Sequence, residues 1–333
     1  MNESDWTVVR RVGLACYGGV FVYYCITVGI PIAHDRQFLW IFAGLFIACI
    51  GRPWRSMIHL LVDWVPFAAV IIGYDYSRGI ADQLGQSTHY DPQIKADKAL
   101  FFGHVPTVWL QERLYTIVRR FDGSYAVVGN VQWWEVLFTA VYVSHYVTSF
   151  VLAFVLWVRD RKRFQAYARR FVTMSYLGFI TYALFPAAPP WLAARNGDLP
   201  AWVGRYGRGL NELHLGVVRD VIDKGSTVFN YVAAIPSLHC GFATLVVITL
   251  WRSVPRWARP LLALYPVLMG LTLVVTGEHY VVDLLIGAAY AFASCWAWDR
   301  IERWWERRSA RRAPDQPDGS VTTNTAPPPV AVS

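Results

Sequence analysis

Three ionisable side chains open two apolar segments of the sequence. His239 lies in AAIPSLHCGFATLVVITLW, residues 233–251, while His279 and Asp283 lie in GEHYVVDLLIGAAYAF further along. His279 and Asp283 have helical i, i+4 spacing, so a helix places both on one face, with the carboxylate one turn deeper. A carboxylate there can accept an imidazole N–H, hold one tautomer and make the other ring nitrogen a better nucleophile.

Two histidines and an aspartate are suited to phosphoryl transfer. One histidine attacks phosphorus, while the other protonates the leaving oxygen and then deprotonates the incoming water or alcohol. Ser237 and the backbone N–H groups that follow it can hold phosphate oxygens at a helix N-terminus. The cysteines form no CxxC pair or other metal-type spacing, so we expect no metal and no cofactor. The structural alternative is a pair of interfacial histidines beside a helix-capping aspartate.

The composition indicates a membrane protein. The chain has 333 residues, of which 55% are hydrophobic and 16% are charged, against roughly 25% charged residues in soluble domains. Arg and Lys occur in short blocks between long apolar stretches, so the net charge of +8 is better explained by membrane topology than by nucleic-acid binding. We therefore expect membrane lipids as partners and no nucleic acid.

The apolar segments predict an all-α fold, a polytopic transmembrane helical bundle of about 6–8 spans, because about 20 apolar residues cross a bilayer. Eight segments qualify: 12–32, 37–51, 57–74, 133–158, 171–186, 235–251, 260–277 and 280–298. With eight spans, every basic block falls on one face. This predicts a multi-pass plasma-membrane protein with both termini cytoplasmic and with His239 and His279 on the outer face.

The same map divides the chain into three regions. Residues 1–132 hold N-terminal spans and an outer interfacial segment, 133–300 form the catalytic membrane bundle, and 301–333 form a basic and then disordered cytoplasmic tail. Within the first region, VPTVWLQERLYTIVRR, residues 105–120, has the pattern of an amphipathic helix in the outer interface, with a solvent-exposed loop as the alternative.

The motifs resemble those of a known family. PSLH, followed by HYVVD, resembles the second and third motifs of the type 2 phosphatidic acid phosphatase superfamily, usually Pro-Ser-Gly-His and Ser-Arg-x5-His-x3-Asp. Leu238 in place of Gly, together with FPAAPPW at 185–191, resembles the inositol phosphorylceramide synthase branch, which carries inositolphosphotransferase activity. The resemblance covers roughly residues 170–298.

The resemblance implies roles for the individual residues. His279 is then the nucleophile, Asp283 its orienting carboxylate, His239 the general acid and base, and Ser237 a phosphate ligand. It also implies a phosphatidic acid phosphatase-like core.

The chain departs from the family pattern in its cations. Thr272 and Leu273 stand where the phosphatase motif has Ser-Arg, and no Lys-x6-Arg-Pro motif is present. The phosphate-binding cations must therefore come from elsewhere, and the predicted candidates are Arg205 and Arg208 in GRYGRG and also Arg78. We interpret His145, in the middle of a span, as a contact to a neighbouring helix.

The leading hypothesis is a membrane-embedded, metal-independent enzyme. It moves a phospho-headgroup between lipid substrates through a phosphohistidine on the outer leaflet. Hydrolysis of a lipid or polyprenyl phosphate at the same site is the alternative, and its substrate would be a phospholipid or a polyprenyl phosphate. A non-catalytic lipid-binding or transport protein with a histidine proton relay is the alternative of another class. The sequence leaves the oligomeric state open.

Overall fold

A computed structural model describes residues 3–29, 31, 34–81, 86–205, 207–209 and 231–310, without the side chains of 75–81 and 310. Its helices are α1 Glu3–Thr27, α2 His34–Cys49, α3 Trp54–Ala81, α4 Asp91–Leu100, α5 Pro106–Leu114, α6 Trp133–Arg159, α7 Arg161–Leu184, α8 Pro190–Asn196, α9 Leu238–Leu250, α10 Arg259–Val275 and α11 Val281–Ala310. Strands β1 Thr116–Arg119 and β2 Tyr125–Val128 pair as an antiparallel hairpin, and a 3-10 turn covers Arg256–Ala258. The chain divides into two compact units, 1–295 and 296–333, and the three-region division expected from the sequence stays a prediction.

The predicted helical membrane bundle is confirmed. Each of the eight apolar segments overlaps one helix: α1, α2, α3, α6, α7, α9, α10 and α11. Within the described residues, four stretches are long and apolar enough to cross a membrane, and α9 is a shorter apolar helix. The four stretches are Trp54–Tyr74, Trp133–Arg159, Arg256–Val275 and Val281–Ser309.

Aromatic packing joins α3, α7 and α9. Trp64 of α3 stacks on Phe164 of α7 with ring centroids 5.0 Å apart, and Phe171 of α7 stacks on Phe242 of α9 at 4.2 Å. All four rings are buried in one hydrophobic core. Buried aromatic pairs bring large contact areas and a preferred geometry, so this core holds α9, which carries His239, against the rest of the bundle.

The charge inside the third span is satisfied by its neighbours. Asp63 of α3 accepts hydrogen bonds from Arg161 Nη2 at 2.8 Å and from Trp157 Nε1 at 3.0 Å. An ionised side chain at membrane depth is costly unless it is paired. This pairing explains how α3 accommodates Asp63, and the helix also continues through Pro66.

The segment 105–120 is only partly helical. The predicted amphipathic helix ends at Leu114, and Thr116–Arg119 forms strand β1, so Ile117 and Val118 do not share a helical face with Leu110. The β-branched run from Thr116 to Val118 favours a strand, and the turn at Gly123, with φ 84°, closes the hairpin. The prediction of one continuous helix was wrong for this reason.

Glycine allows α9 and α11 to pack at backbone contact. A Cβ added at Gly287 of α11 would lie 2.1 Å from the carbonyl oxygen of Ser237, the N-cap residue of α9. A Cβ added at Gly241 would lie 3.0 Å from the carbonyl oxygen of Gly287. The absence of side chains at both positions brings together the two helices that follow the histidine motifs.

Candidate active site

His239 and His279 meet although about 40 residues separate them in the sequence. Their ring centroids are 5.6 Å apart, and both rings line a cavity of about 160 Å³. Ser237 contributes to this arrangement, because its backbone N–H donates to the Asp283 carbonyl at 3.0 Å and its Oγ accepts the Cys240 N–H at 3.4 Å. The start of α9 is thereby tied to the first turn of α11.

The His279 imidazole faces the Asp283 carboxylate. Nδ1 of His279 lies 3.5 Å from Oδ2 of Asp283, which is fully buried, and the same oxygen accepts the Tyr280 N–H at 2.9 Å. A carboxylate on Nδ1 orients the ring and leaves Nε2 as the nitrogen that can act as a nucleophile. This is the pairing that the i, i+4 spacing predicts.

A third histidine lies beside this pair. The ring centroid of His145, in α6, is 4.1 Å from that of His239, and both rings line the cavity. Tyr142, one turn earlier in α6, stacks on His239 at 5.4 Å. His145 does contact a neighbouring helix, as interpreted from the sequence, but no motif in the sequence connects α6 to α9 or indicates that His239 is the contact.

Of the predicted cations whose side chains the structure describes, Arg205 lines the cavity. It forms an ion pair with Glu278, the residue before His279, and both side chains border the same space. Burial opposes the charge of Arg205, but the neighbouring Glu278 carboxylate outweighs it and raises the pKa of the guanidinium above its usual value. A fixed guanidinium beside two histidines is suited to binding a phosphoryl oxygen.

The other predicted ligands of phosphate lie in different surroundings. Arg208 donates to the Gly129 carbonyl at 2.7 Å and lies 3.5 Å from the Glu135 carboxylate. Arg78 belongs to α3, but its side chain lies outside the described residues. The fully buried Ser237 hydroxyl serves as the N-cap of α9, and its contact with phosphate stays a prediction.

The FPAAPPW segment borders the same cavity. Pro189 and Trp191 line it, and the Trp191 backbone N–H donates to the Gly277 carbonyl at 3.3 Å. Ala187 forms bridges to His89 and Ala233, so the segment is held between the start of the α4 region and the approach to α9. Trp191 also packs edge-on against Tyr231 at 5.6 Å, which adds an aromatic wall.

Across the residues that the structure describes, no group of three or more His, Cys, Asp and Glu side chains is arranged to hold a metal ion.

The fold and the convergence of the two histidine motifs define a class, that of polytopic membrane proteins in which paired histidines at the starts of two helices line one cavity. Residues 119–297, more than half of the chain, match the family model described as PAP2 superfamily, and the chain belongs to that superfamily. Its motifs are those of the inositol phosphorylceramide synthase-like branch, as the sequence predicts. No solved structure matches the chain at a significant level.

Curated relatives support this branch. The chain is 29% identical over 141 residues to the phosphoinositol dihydroceramide synthase of Bacteroides thetaiotaomicron, covering 40% of this chain and 45% of the relative. It is 30% identical over 156 residues to the inositol phosphorylceramide synthase catalytic subunit of Schizosaccharomyces pombe, covering 45% of this chain and 36% of the relative. The matches thus span less than half the length of these relatives.

Proposed function

We propose that the protein is a membrane-embedded enzyme that transfers a phospho-headgroup from a donor phospholipid to a lipid alcohol. The observation that carries this proposal is the His239–His279 pair, 5.6 Å apart, with Asp283 on the second ring and Arg205 at the same cavity. The names of the relatives favour a phosphoinositol headgroup as the transferred group and a ceramide-type alcohol as the acceptor.

In the first half-reaction, His279 Nε2 attacks the phosphorus of the donor. The bond from phosphorus to the oxygen of the donor's diacylglycerol breaks, and His239 gives that oxygen a proton, so the first product is a neutral alcohol. Asp283 stabilises the positive charge on the His279 ring, and Arg205 stabilises the negative charge on the phosphoryl oxygens. The headgroup is then bound to His279 as a phosphoramidate.

In the second half-reaction, the acceptor hydroxyl replaces the departing alcohol. His239, now neutral, takes the hydroxyl proton as the oxygen attacks phosphorus, and the bond to His279 Nε2 breaks. The acceptor carries the headgroup, and both histidines return to their starting protonation states. If the donor is a lipid or polyprenyl phosphate and water attacks the phosphohistidine, the same steps release inorganic phosphate, which is the lipid phosphatase alternative.

The site belongs on the outer leaflet in this proposal, with both termini cytoplasmic in the plasma membrane. His239 opens α9, whereas Arg252, Arg256 and Arg259 follow its other end, about 20 Å away by helical rise. Basic residues favour the cytoplasmic side. Single cysteines placed at 205 and 256 and labelled with a membrane-impermeant maleimide on intact cells test this orientation: labelling at 256 rather than 205 would reverse it.

Transfer of labelled headgroup tests the reaction. Purified protein receives headgroup-labelled phosphatidylinositol with and without dihydroceramide, and we expect a labelled sphingolipid that depends on the acceptor. His279→Ala should lower the rate by at least about 10³-fold and abolish an acid-labile phosphoryl adduct. His59→Ala, an exposed histidine of α3, is the matched control and should retain full activity.

Three results would change the proposal. Release of inorganic phosphate from a lipid or polyprenyl phosphate, with no acceptor-dependent lipid product, would establish the phosphatase alternative. Full activity in His279→Ala would refute the histidine mechanism and leave the lipid-binding or transport alternative. Activity that depends strictly on a divalent ion would show that the described site is incomplete.

A further inference from the structure

Helix α4 supplies a cap to the helix that follows His279. Asp97 of α4 is fully buried, and its Oδ2 and Oδ1 accept the backbone N–H groups of Val281 at 3.1 Å and Val282 at 3.0 Å. These N–H groups belong to the first turn of α11, which has no acceptors of its own. An aspartate more than 180 residues earlier in the chain therefore does the work of an N-cap residue.

Two carboxylates share this helix N-terminus. Asp283 accepts the Tyr280 N–H at 2.9 Å, and Asp97 accepts the next two N–H groups, so three consecutive backbone donors are bound. His279 directly precedes this set. The backbone at 279–281 determines how the His279 ring is oriented in the cavity, and the hydrogen bond from the Val281 N–H to Asp97 fixes part of that backbone.

The burial of Asp97 has a measurable cost. Burial, together with the nearby Asp283 carboxylate, raises the pKa of this carboxyl to about 6, although the two backbone donors act in the opposite direction. A buried carboxylate is costly to desolvate, so an apolar residue at this position would pack without that cost. The contribution of Asp97 is therefore geometric, through the two directed hydrogen bonds.

Helix α5 holds the loop that carries Arg205 in a similar way. The fully buried Gln111 donates through Nε2 to the carbonyls of Gly204 at 2.8 Å and Val275 at 2.9 Å, and its Oε1 accepts the Gly204 N–H at 3.1 Å. The two backbone segments that Gln111 joins are in close contact. A Cβ added at Gly277, which has φ 78°, would overlap the Gly204 carbonyl oxygen. Gln111 thus fastens the residue before Arg205 to the end of α10.

We propose that Asp97 and Gln111 are positioning residues of the active site, Asp97 for the nucleophile His279 and Gln111 for the cation Arg205. Both precede residue 119, where the superfamily match begins, so helices α4 and α5 complete a site whose motifs lie in the later part of the chain. The proposal rests on the proposed function, since it assigns the geometry of the same site.

Near-isosteric variants test the two positions. Asp97→Asn replaces one acceptor oxygen with an amide that opposes a backbone N–H, and we expect kcat to fall about 10- to 100-fold with KM for the donor within about twofold. Gln111→Glu sets a carboxylate against two carbonyls, and we expect KM to rise about tenfold because Arg205 moves away from the phosphate.

Matched controls come from the same two helices. Asp91→Asn in α4 and Glu112→Gln in α5 change exposed side chains and should leave kcat and KM as in the unmodified protein. Rates are expressed per folded molecule, measured by size exclusion and thermal melting, so that a lower yield of folded protein does not count as a catalytic effect.

The outcomes separate the two levels of the proposal. Unchanged kcat and KM in the folded fraction of the Asp97 and Gln111 variants, with His279→Ala inactive, would show purely structural roles and overturn the inference alone. Activity in His279→Ala would overturn the proposed function instead. The expected result is a kcat effect at 97 and a KM effect at 111, with normal controls.

Discussion

Gly287→Ala should separate the two histidines by displacing one helix from the other. The added Cβ would lie 2.1 Å from the Ser237 carbonyl oxygen, and contacts under 3.0 Å require movement. Both groups are attached to backbone, so no side-chain rotation relieves the overlap. The helices must therefore move apart by the difference between the two distances, about 0.9 Å, at the level of Ser237.

The displacement acts directly on the site. Ser237 lies two residues before His239, and its N–H bonds to the Asp283 carbonyl, so the shift changes the position of His239 relative to His279. A misplacement of about 1 Å costs roughly 100-fold in rate, and overpacking a core costs about 1–3 kcal/mol in the free energy of unfolding. We expect kcat to fall about 100-fold and the melting temperature to fall as well.

The assay is headgroup transfer per folded molecule, combined with thermal melting in the same detergent. Gly18→Ala is the control, because this helical glycine has no atom within 4 Å of the added Cβ, and it should retain both activity and stability. A Gly287→Ala protein with normal kcat and melting temperature would refute the claim that backbone contact between α9 and α11 sets the histidine geometry.

Three further predictions concern the surroundings of the site. Gly178→Ala would place a Cβ 2.9 Å from the Leu238 side chain, so we expect the free energy of unfolding to fall by about 1–3 kcal/mol. Adding Leu238→Ala to the same protein should partly relieve this loss, and additive losses of the two variants in thermal melting would contradict the coupling. Burial raises the pKa of Asp97 from 3.8 to about 6 in the folded protein, so the unfolded chain loses this proton at a lower pH than the folded chain does. The contribution of Asp97 to stability is therefore fully present below about pH 4 and is lost as the pH rises through 6. Asp97→Asn should lack this slope in melting curves between pH 4 and 8, and parallel curves for the two proteins would argue against the shift. Arg205→Gln should lower kcat/KM for transfer about 100-fold, and Arg205→Lys should recover part of this loss. Arg208→Gln should change kcat/KM less than about threefold, because Glu135 and Gly129 hold the Arg208 side chain. Equal losses at both positions would place the phosphate elsewhere.

Local patterns in the sequence predicted the helices and one half of the site. The eight apolar segments overlap eight helices, because hydrophobic length is a property of a contiguous stretch. The spacing of His279 and Asp283 predicted their contact for the same reason, since i, i+4 neighbours meet within one helix. The wrong prediction of a helix through residues 105–120 also had a local cause. It followed the apolar periodicity of the segment, although the β-branched residues of β1 favour a strand.

Long-range contacts could not be predicted in this way. The proximity of His145 to His239 joins α6 to α9, and the Asp97 cap joins α4 to α11. Neither pair has a spacing that one element imposes, so the sequence contains no periodic signal for them. The choice of Arg205 over Arg208 at the cavity likewise depends on where Glu278 and Glu135 lie.

The sequence by itself determined that this is a helical membrane protein and that two histidine motifs open two of its apolar segments, because composition, hydrophobic length and helical spacing are local quantities. Only the tertiary structure decided that the two openings border one cavity, that His145 and Arg205 line it too, and that α4 and α5 bond to the backbone around it. The physical reason is the packing at Gly287 and Gly241, together with the buried hydrogen bonds of Asp97 and Gln111. These contacts depend on the arrangement of whole helices, which no single segment specifies.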